Sequence, residues 1–247
     1  MRGRMRISRQ FFSARLFERM RRIGSLTAAI AALFAAGAPS VFAQTQPANR
    51  FVVVLDAAHG GADSGARLDG EPEKTYTLAL SVKLRSLLTA RGIDVVTTRE
   101  SDVTVDPAQR AAVADRANAQ ACLSLHASAS GTGVHLFVSS LAPVQAAAML
   151  PWKTAQAAWT SRSLGLAGVL NSALMHAGVT VTLGRVALPA IDSMTCPAVA
   201  VEIAPEQSSN GSATSGLADP DYQARVADAL AAALVEWRSE ERGGREP

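Results

Sequence analysis

Phe51-Val52-Val53-Val54-Leu55-Asp56-Ala57-Ala58-His59-Gly60-Gly61 joins five apolar, mostly β-branched residues to an acid, two alanines, a histidine and two glycines. An apolar run without polar alternation predicts a strand covered on both faces, as in a parallel sheet with helices on either side. The glycines predict a loop at the carboxyl end of that strand, and His59 falls in it.

Outward from this stretch, strand and helix signals alternate. Tyr76, Leu80, Leu84, Leu87 and Leu88 share one helical face before Gly92, a residue suited to closing a helix, and Ile93 to Thr98 reads as a strand. Asp106-Pro107-Ala108-Gln109 supplies an N-cap, a proline at the first helical position and a glutamine able to reach back, so a helix is expected from there to about Ala119. Cys122 to His126 and Gly133 to Ser139 read as strands, Ser161 to Ala177 as a helix ended by Gly178, and Ala198 to Ile203 as a strand. Asp219-Pro220 opens a last helix with Tyr222, Val226, Leu230, Ala233 and Trp237 in phase, after a polar loop over Ser208 to Gly216. This alternation predicts an α/β fold: one domain with a largely parallel twisted sheet flanked by helices. Such sheets carry their sites at the carboxyl ends of the strands. His59, His126 and Glu202 each fall at or just past such an end, so they should converge on one edge.

The N-terminal part has a different character. Met1 to Arg22 holds eight arginines and one glutamate, and the uncharged, largely apolar run Ile23 to Phe42 follows, ending in small residues before Ala43. That is the layout of a secretory signal peptide, expected over residues 1–43, with a linker over 44–50, a catalytic domain over 51–240 and a polar tail over 241–247. The glycines, serines and proline in the apolar run argue against a permanent membrane span. The whole-chain charge of +3 becomes about −4 once those eight arginines and one glutamate are removed, so no basic surface is left to suggest a nucleic-acid partner. Export also bears on Cys122 and Cys196, both in segments that read as strands. They could form a disulfide if their Cα atoms lie within about 7 Å, or remain a buried reduced pair.

Catalytic zinc takes three nitrogen or oxygen ligands from the protein and leaves a position open, a need that two histidines and a carboxylate meet. His59 and His126 are the better candidates. His135 lies within a strand and His176 near a helix end, and a lone histidine in such places is more often a packing residue. Competing chemistries find less support. The glycines after the first strand match neither G-x-G-x-x-G nor G-x-x-x-x-G-K-[ST], a serine nucleophile elbow is missing, and the cysteines lack a two-cysteine metal spacing.

The stretch Val53 to Ala66 resembles the D-P-G-H-G-G-x-D-x-G-A opening of the zinc-dependent N-acetylmuramoyl-L-alanine amidases of the type-3 family. Glu73-Lys74 resembles that family's E-K pair, Leu123-Ser124-Leu125-His126-Ala127-Ser128 its S-I-H-A-N strand, and Pro197-Ala198-Val199-Ala200-Val201-Glu202 its P-A-V-L-V-E strand. The last helix is similar too, so the resemblance spans Phe51 to about Trp237. It implies that His59, Glu73 and His126 hold one zinc ion and that Glu202 is the catalytic carboxylate. The reaction implied is hydrolysis of the amide between N-acetylmuramic acid and L-alanine in peptidoglycan, by an exported enzyme of the periplasm or cell exterior. Asp56 and Asp63 are candidates for orienting the loop or a ligand histidine.

Two readings compete with this one: a catalytically silent peptidoglycan-binding relative, and another zinc amidohydrolase or peptidase. The chain departs from the family pattern at Ala57, Ala58 and Ser128, and over Ile203 to Gln207. If the family glycine at position 58 holds a positive φ, Ala58 should carry about 1 kcal/mol of strain. Some relatives keep an inserted helix over the zinc and need an activator protein, which makes an activator a candidate partner. The segment Leu141 to Thr160 sits where such an insert could occur but contains no Asp, Glu or His. Trp152 and Trp159 are expected to line the substrate groove or to dock a partner.

Overall fold

The computed structural model of the protein describes residues 50–144, 150–207 and 211–243. The expected signal peptide, all of the expected linker except Arg50, and residues 244–247 of the expected tail lie outside them. None of the described helices is long and apolar enough to cross a membrane.

In chain order the elements are β1 (Val52–Ala57), a short hairpin of β2 (Arg67–Leu68) and β3 (Glu71–Pro72), α1 (Glu73–Ala90), β4 (Asp94–Thr97), α2 (Pro107–Ala117), β5 (Ala121–Ala127) and β6 (Val134–Ser139). A 3-10 helix (Trp152–Ala158) leads into α3 (Thr160–His176), followed by β7 (Val181–Val186), α4 (Pro189–Asp192) and β8 (Ala198–Ile203). A second hairpin, β9 (Glu206–Gln207) and β10 (Ala213–Ser215), precedes α5 (Pro220–Gly243).

The main sheet has the order β4-β1-β5-β8-β6-β7. Its first four strands are parallel, β6 runs antiparallel to β8, and β7 runs parallel to β6. Val53, Leu55, Leu123, Leu125, Val199 and Val201 point into a core under α1, α3 and α5, while Val54, Cys122, Ala198 and Ala200 point into a smaller one shared with α2 and α4. This two-sided burial is why β1 and β8 read as unbroken apolar runs rather than alternating ones.

Local signals account for most helix boundaries. Asp106 accepts from the Gln109 amide at 2.8 Å and Gln109 Oε1 from the Asp106 amide at 3.0 Å, so both halves of the capping box are made. In α1 the buried stripe is Glu73, Thr77, Ser81, Leu84 and Leu88, apolar only towards its end. α5 continues to Gly243, so the boundary expected at residue 240 falls inside a helix whose preceding turns are anchored by buried Leu234 and Trp237. Cys196 lies just before β8 rather than within a strand and is joined to Cys122 by a disulfide, with Cα atoms 6.2 Å apart.

Candidate metal centre

β1 delivers Asp56 and Ala57 to the carboxyl edge of the sheet, and the chain turns sharply at His59, whose φ is +62°. Left-handed backbone is uncommon for a residue with a side chain and persists where the surroundings over-determine it. Here two buried arginines and a lysine do so. Arg110 donates to Ala57 O and His59 O, both at 2.7 Å, and to Asp56 Oδ1 at 2.6 Å. Arg99 donates to Ala57 O at 2.9 Å and Ala58 O at 3.0 Å, and Lys74 to Gly61 O at 2.8 Å. Asp56 also accepts from Thr98 and Ser124. Ala58 has no positive φ, so the strain expected there is absent and sits one residue later.

Glu73 opens α1 and is only 5% exposed. A carboxylate at a helix start is favoured by the positive end of the helix dipole. Its Oε2 accepts from the Ala66 amide and lies 3.0 Å from His59 Nε2; its Oε1 accepts from the Ala127 amide and lies 3.1 Å from His126 Nδ1. The two imidazoles stand edge to face, with centroids 5.5 Å apart. Gly65 passes so close that a Cβ there would stand 2.6 Å from His59 Cδ2 and 2.7 Å from Glu73 Oε2.

These contacts set the charges. Burial alone would raise the Glu73 carboxyl, but hydrogen bonds from both histidines and two amides outweigh it and hold Glu73 well below the ordinary carboxylate range. The His59 imidazole is raised, chiefly by its bond to Glu73 and with help from Asp63, against the effect of burial. Asp63 Oδ2 lies 2.9 Å from His59 Nδ1 and so leaves Nε2 facing Glu73, the orienting arrangement expected for a ligand histidine.

Among the described residues, His59, Glu73 and His126 form the one group of three metal-ligating side chains, with ligand atoms all within 4.8 Å of one another. Two nitrogens and one oxygen are the donor set that would suit a catalytic zinc ion. Glu202, half-buried, is paired in register with His126 on one side and with His135 on the other. The three residues implied as ligands are therefore together, and Glu202 lies on the strand next to His126.

The remaining histidines take other partners. His135 Nδ1 contacts Thr182 Oγ1, and His176 Nδ1 contacts Ser172 O on its own helix. Of the two roles expected for the tryptophans, lining the groove beside the metal centre is not met. Gln156, in the 3-10 helix, donates to Met194 O and Cys196 O ahead of β8, so this segment packs at the opposite end of that strand from Glu202. Trp159 lies beside Arg162, and Trp152 is 58% exposed. Residues 145–149 of the segment lie outside the described residues. The sequence reading missed Arg99 and Arg110. The second left a signal: it shares the buried stripe of α2 with Ala111 and Ala114, where a cation needs a partner.

Comparison with known proteins places residues 53–236 within the family model described as N-acetylmuramoyl-L-alanine amidase. An endolysin of Bacillus phage SPP1 is 42% identical over 83 residues, 33% of this chain and 31% of that protein. The amidase AmiA of Escherichia coli K12 is 40% identical over 77 residues, 31% of this chain and 27% of that protein. These matches thus span about a third or less of the curated relatives' length. The catalytic domain of the amidase CwlV from Bacillus (Paenibacillus) polymyxa var. colistinus superposes with a TM-score of 0.60 at 29% identity, covering 76% of this chain and 98% of that one.

Proposed function

Because the chain belongs to the N-acetylmuramoyl-L-alanine amidase family, we propose that it hydrolyses the amide between the lactyl group of N-acetylmuramic acid and L-alanine in peptidoglycan. The observation that carries this is the cluster of His59, Glu73 and His126 with Glu202 on the adjoining strand. In this reading one zinc ion is held by His59, Glu73 and His126. When bound, zinc supplies Lewis-acid polarisation of the scissile carbonyl and acidifies the attacking water.

The protein's own residues do the rest. Glu202 accepts the proton of the attacking water and passes it to the departing alanine nitrogen as the carbon–nitrogen bond breaks, leaving a carboxylic acid and a free amine. Asp63 holds the His59 tautomer, and Arg99 and Arg110 fix the loop that carries it. The Cys122–Cys196 disulfide supports an oxidising compartment, consistent with export to the periplasm or cell exterior.

The test is release of stem peptides from purified peptidoglycan, with zinc content measured in parallel for wild type and Glu202→Ala. Cleavage that disappears in the variant while about one zinc per chain stays in both is the expected result. Zinc without cleavage in the wild type would indicate dependence on an activator or a silent binding protein. A wild type that takes up no zinc would remove the mechanism.

A further inference from the structure

A shallow, open groove runs from His126 along α1, with Gln223 of α5 at its edge. Its walls are mostly apolar, with Tyr76 and Leu80 from α1 facing Ile203 and Leu217, and Lys83 lies along the same wall. A concave, apolar site with a few polar groups is the usual form of a ligand subsite. The spacing Tyr76, Leu80, Lys83 keeps all three on one face of α1.

Lys83 stands apart from the other cations of this region. Lys74 is paired with Asp102, Arg85 with Glu100 and Arg91 with Asp228. Lys83 is half-buried, has no carboxylate partner among the described residues, and no acid lines the groove with it. A lysine that lines a mostly apolar groove without an anion beside it is suited to supplying a charge-assisted bond to a ligand.

Distance selects the ligand. Lys83 lies ten residues after Glu73 on α1, a rise of roughly 15 Å, and a lysine side chain reaches back roughly 6 Å of that. The remaining ~9 Å is what the scissile amide, L-alanine and the following residue cover at about 3.4 Å per extended residue. We propose that this groove seats the peptide stem and that Lys83 selects stems with a free carboxylate on the residue after L-alanine, over stems in which that carboxylate is amidated. This deepens the amidase reading and rests on it.

The experiment compares muramoyl-L-alanyl-D-glutamate with muramoyl-L-alanyl-D-isoglutamine, the γ-carboxyl of each blocked as its methylamide so that only the α-carboxyl differs, as substrates of the zinc-loaded full chain. In parallel, calorimetry compares binding of the two released dipeptides. The expected wild-type preference for the acid is roughly tenfold in kcat/KM and in dipeptide affinity. Lys83→Gln should bring both ratios towards one, Lys83→Arg should keep them above one, and Lys83→Glu should invert them. Because each ratio is internal to one variant, a loss of folded protein cancels. Equal handling of acid and amide by the wild type, or ratios unchanged in Lys83→Gln, would overturn the proposal. Failure to cleave either substrate would count against the amidase reading, while the dipeptide affinities would still decide the groove.

Discussion

Replacing Arg110 by alanine probes the clamp on the metal loop most directly. Its side chain is 7% exposed and its partner Asp56 2%, so solvent screens the pair little. The substitution leaves the Asp56 carboxylate with only the Thr98 and Ser124 hydroxyls and deprives Ala57 O and His59 O of a donor. Breaking a buried ion pair from one side costs about 3–5 kcal/mol, and the expected loss of unfolding free energy lies in that range. Arg110→Lys keeps the charge but not the fork that reaches Asp56 and His59 together, so an intermediate loss is expected. The assay is urea denaturation in the presence of a chelator. Asp56→Ala combined with Arg110→Ala should cost less than the sum of the two single changes, by roughly 0.5–3 kcal/mol. Zinc affinity should also fall, by about 10–100-fold, as for other residues that orient metal ligands. A loss below about 1 kcal/mol, the range of an exposed pair, or strict additivity with Asp56→Ala, would refute the reasoning.

Gly65→Ala places a methyl within 2.7 Å of both His59 and Glu73 at a φ of +64°, so zinc binding should fall far more than overall stability; equal zinc titrations for variant and wild type would contradict this. The Cys122–Cys196 link closes a loop with a sequence separation of 74, for which the chain-entropy model gives about 4.5 kcal/mol. Urea midpoints of oxidised and reduced protein should differ accordingly, and a difference under about 2 kcal/mol would show that the unfolded chain is less constrained than the model assumes. Burial and the neighbouring Glu206 push the Tyr222 phenol well above its ordinary value, while its hydroxyl donates to Ala204 O at 2.8 Å. A group raised on folding stabilises fully below its unfolded pKa, about 10, and that contribution is lost as the pH rises towards its folded value. Wild type should therefore lose stability from pH 10 upward more steeply than Tyr222→Phe, which should start about 1 kcal/mol lower at neutral pH. Parallel stability curves for the two proteins between pH 8 and 11 would count against that assignment.

The order of strands and helices was legible because burial imposed it: β1, β5 and β8 are buried on both faces, and α2 carries a full capping signature. β7 was missed because Val181–Val186 is an edge strand that leaves Leu183 and Val186 exposed and contains Gly184, so its hydrophobic pattern says little about its pairing. The two-residue strands and α4 are held by tertiary contacts too local to leave a period. In the site, His59 and His126 could be placed from strand ends alone. Glu73 could not, because an acid after a hairpin reads as a surface residue, and only the family pattern singled it out. The arginine clamp joins residues more than 40 positions apart, a relation that a single sequence does not display.

The first turn of the metal loop is gripped at its main-chain carbonyls: Ala57, Ala58, His59 and Gly61 are held through their backbone oxygens by Arg99, Arg110, Thr77 and Lys74. A grip on the backbone is indifferent to most of the side chains it passes. This chain can therefore carry alanines at 57 and 58 where the family pattern has proline and glycine, and keep the loop's course. Mutational sensitivity is displaced accordingly, away from Ala57 and Ala58 and onto four polar side chains outside the loop, while Gly60, Gly61 and Gly65, at positive φ and in close contact, stay constrained. Drift at positions 57 and 58 is then a poor guide to whether the centre still works, and the fate of those four side chains a better one.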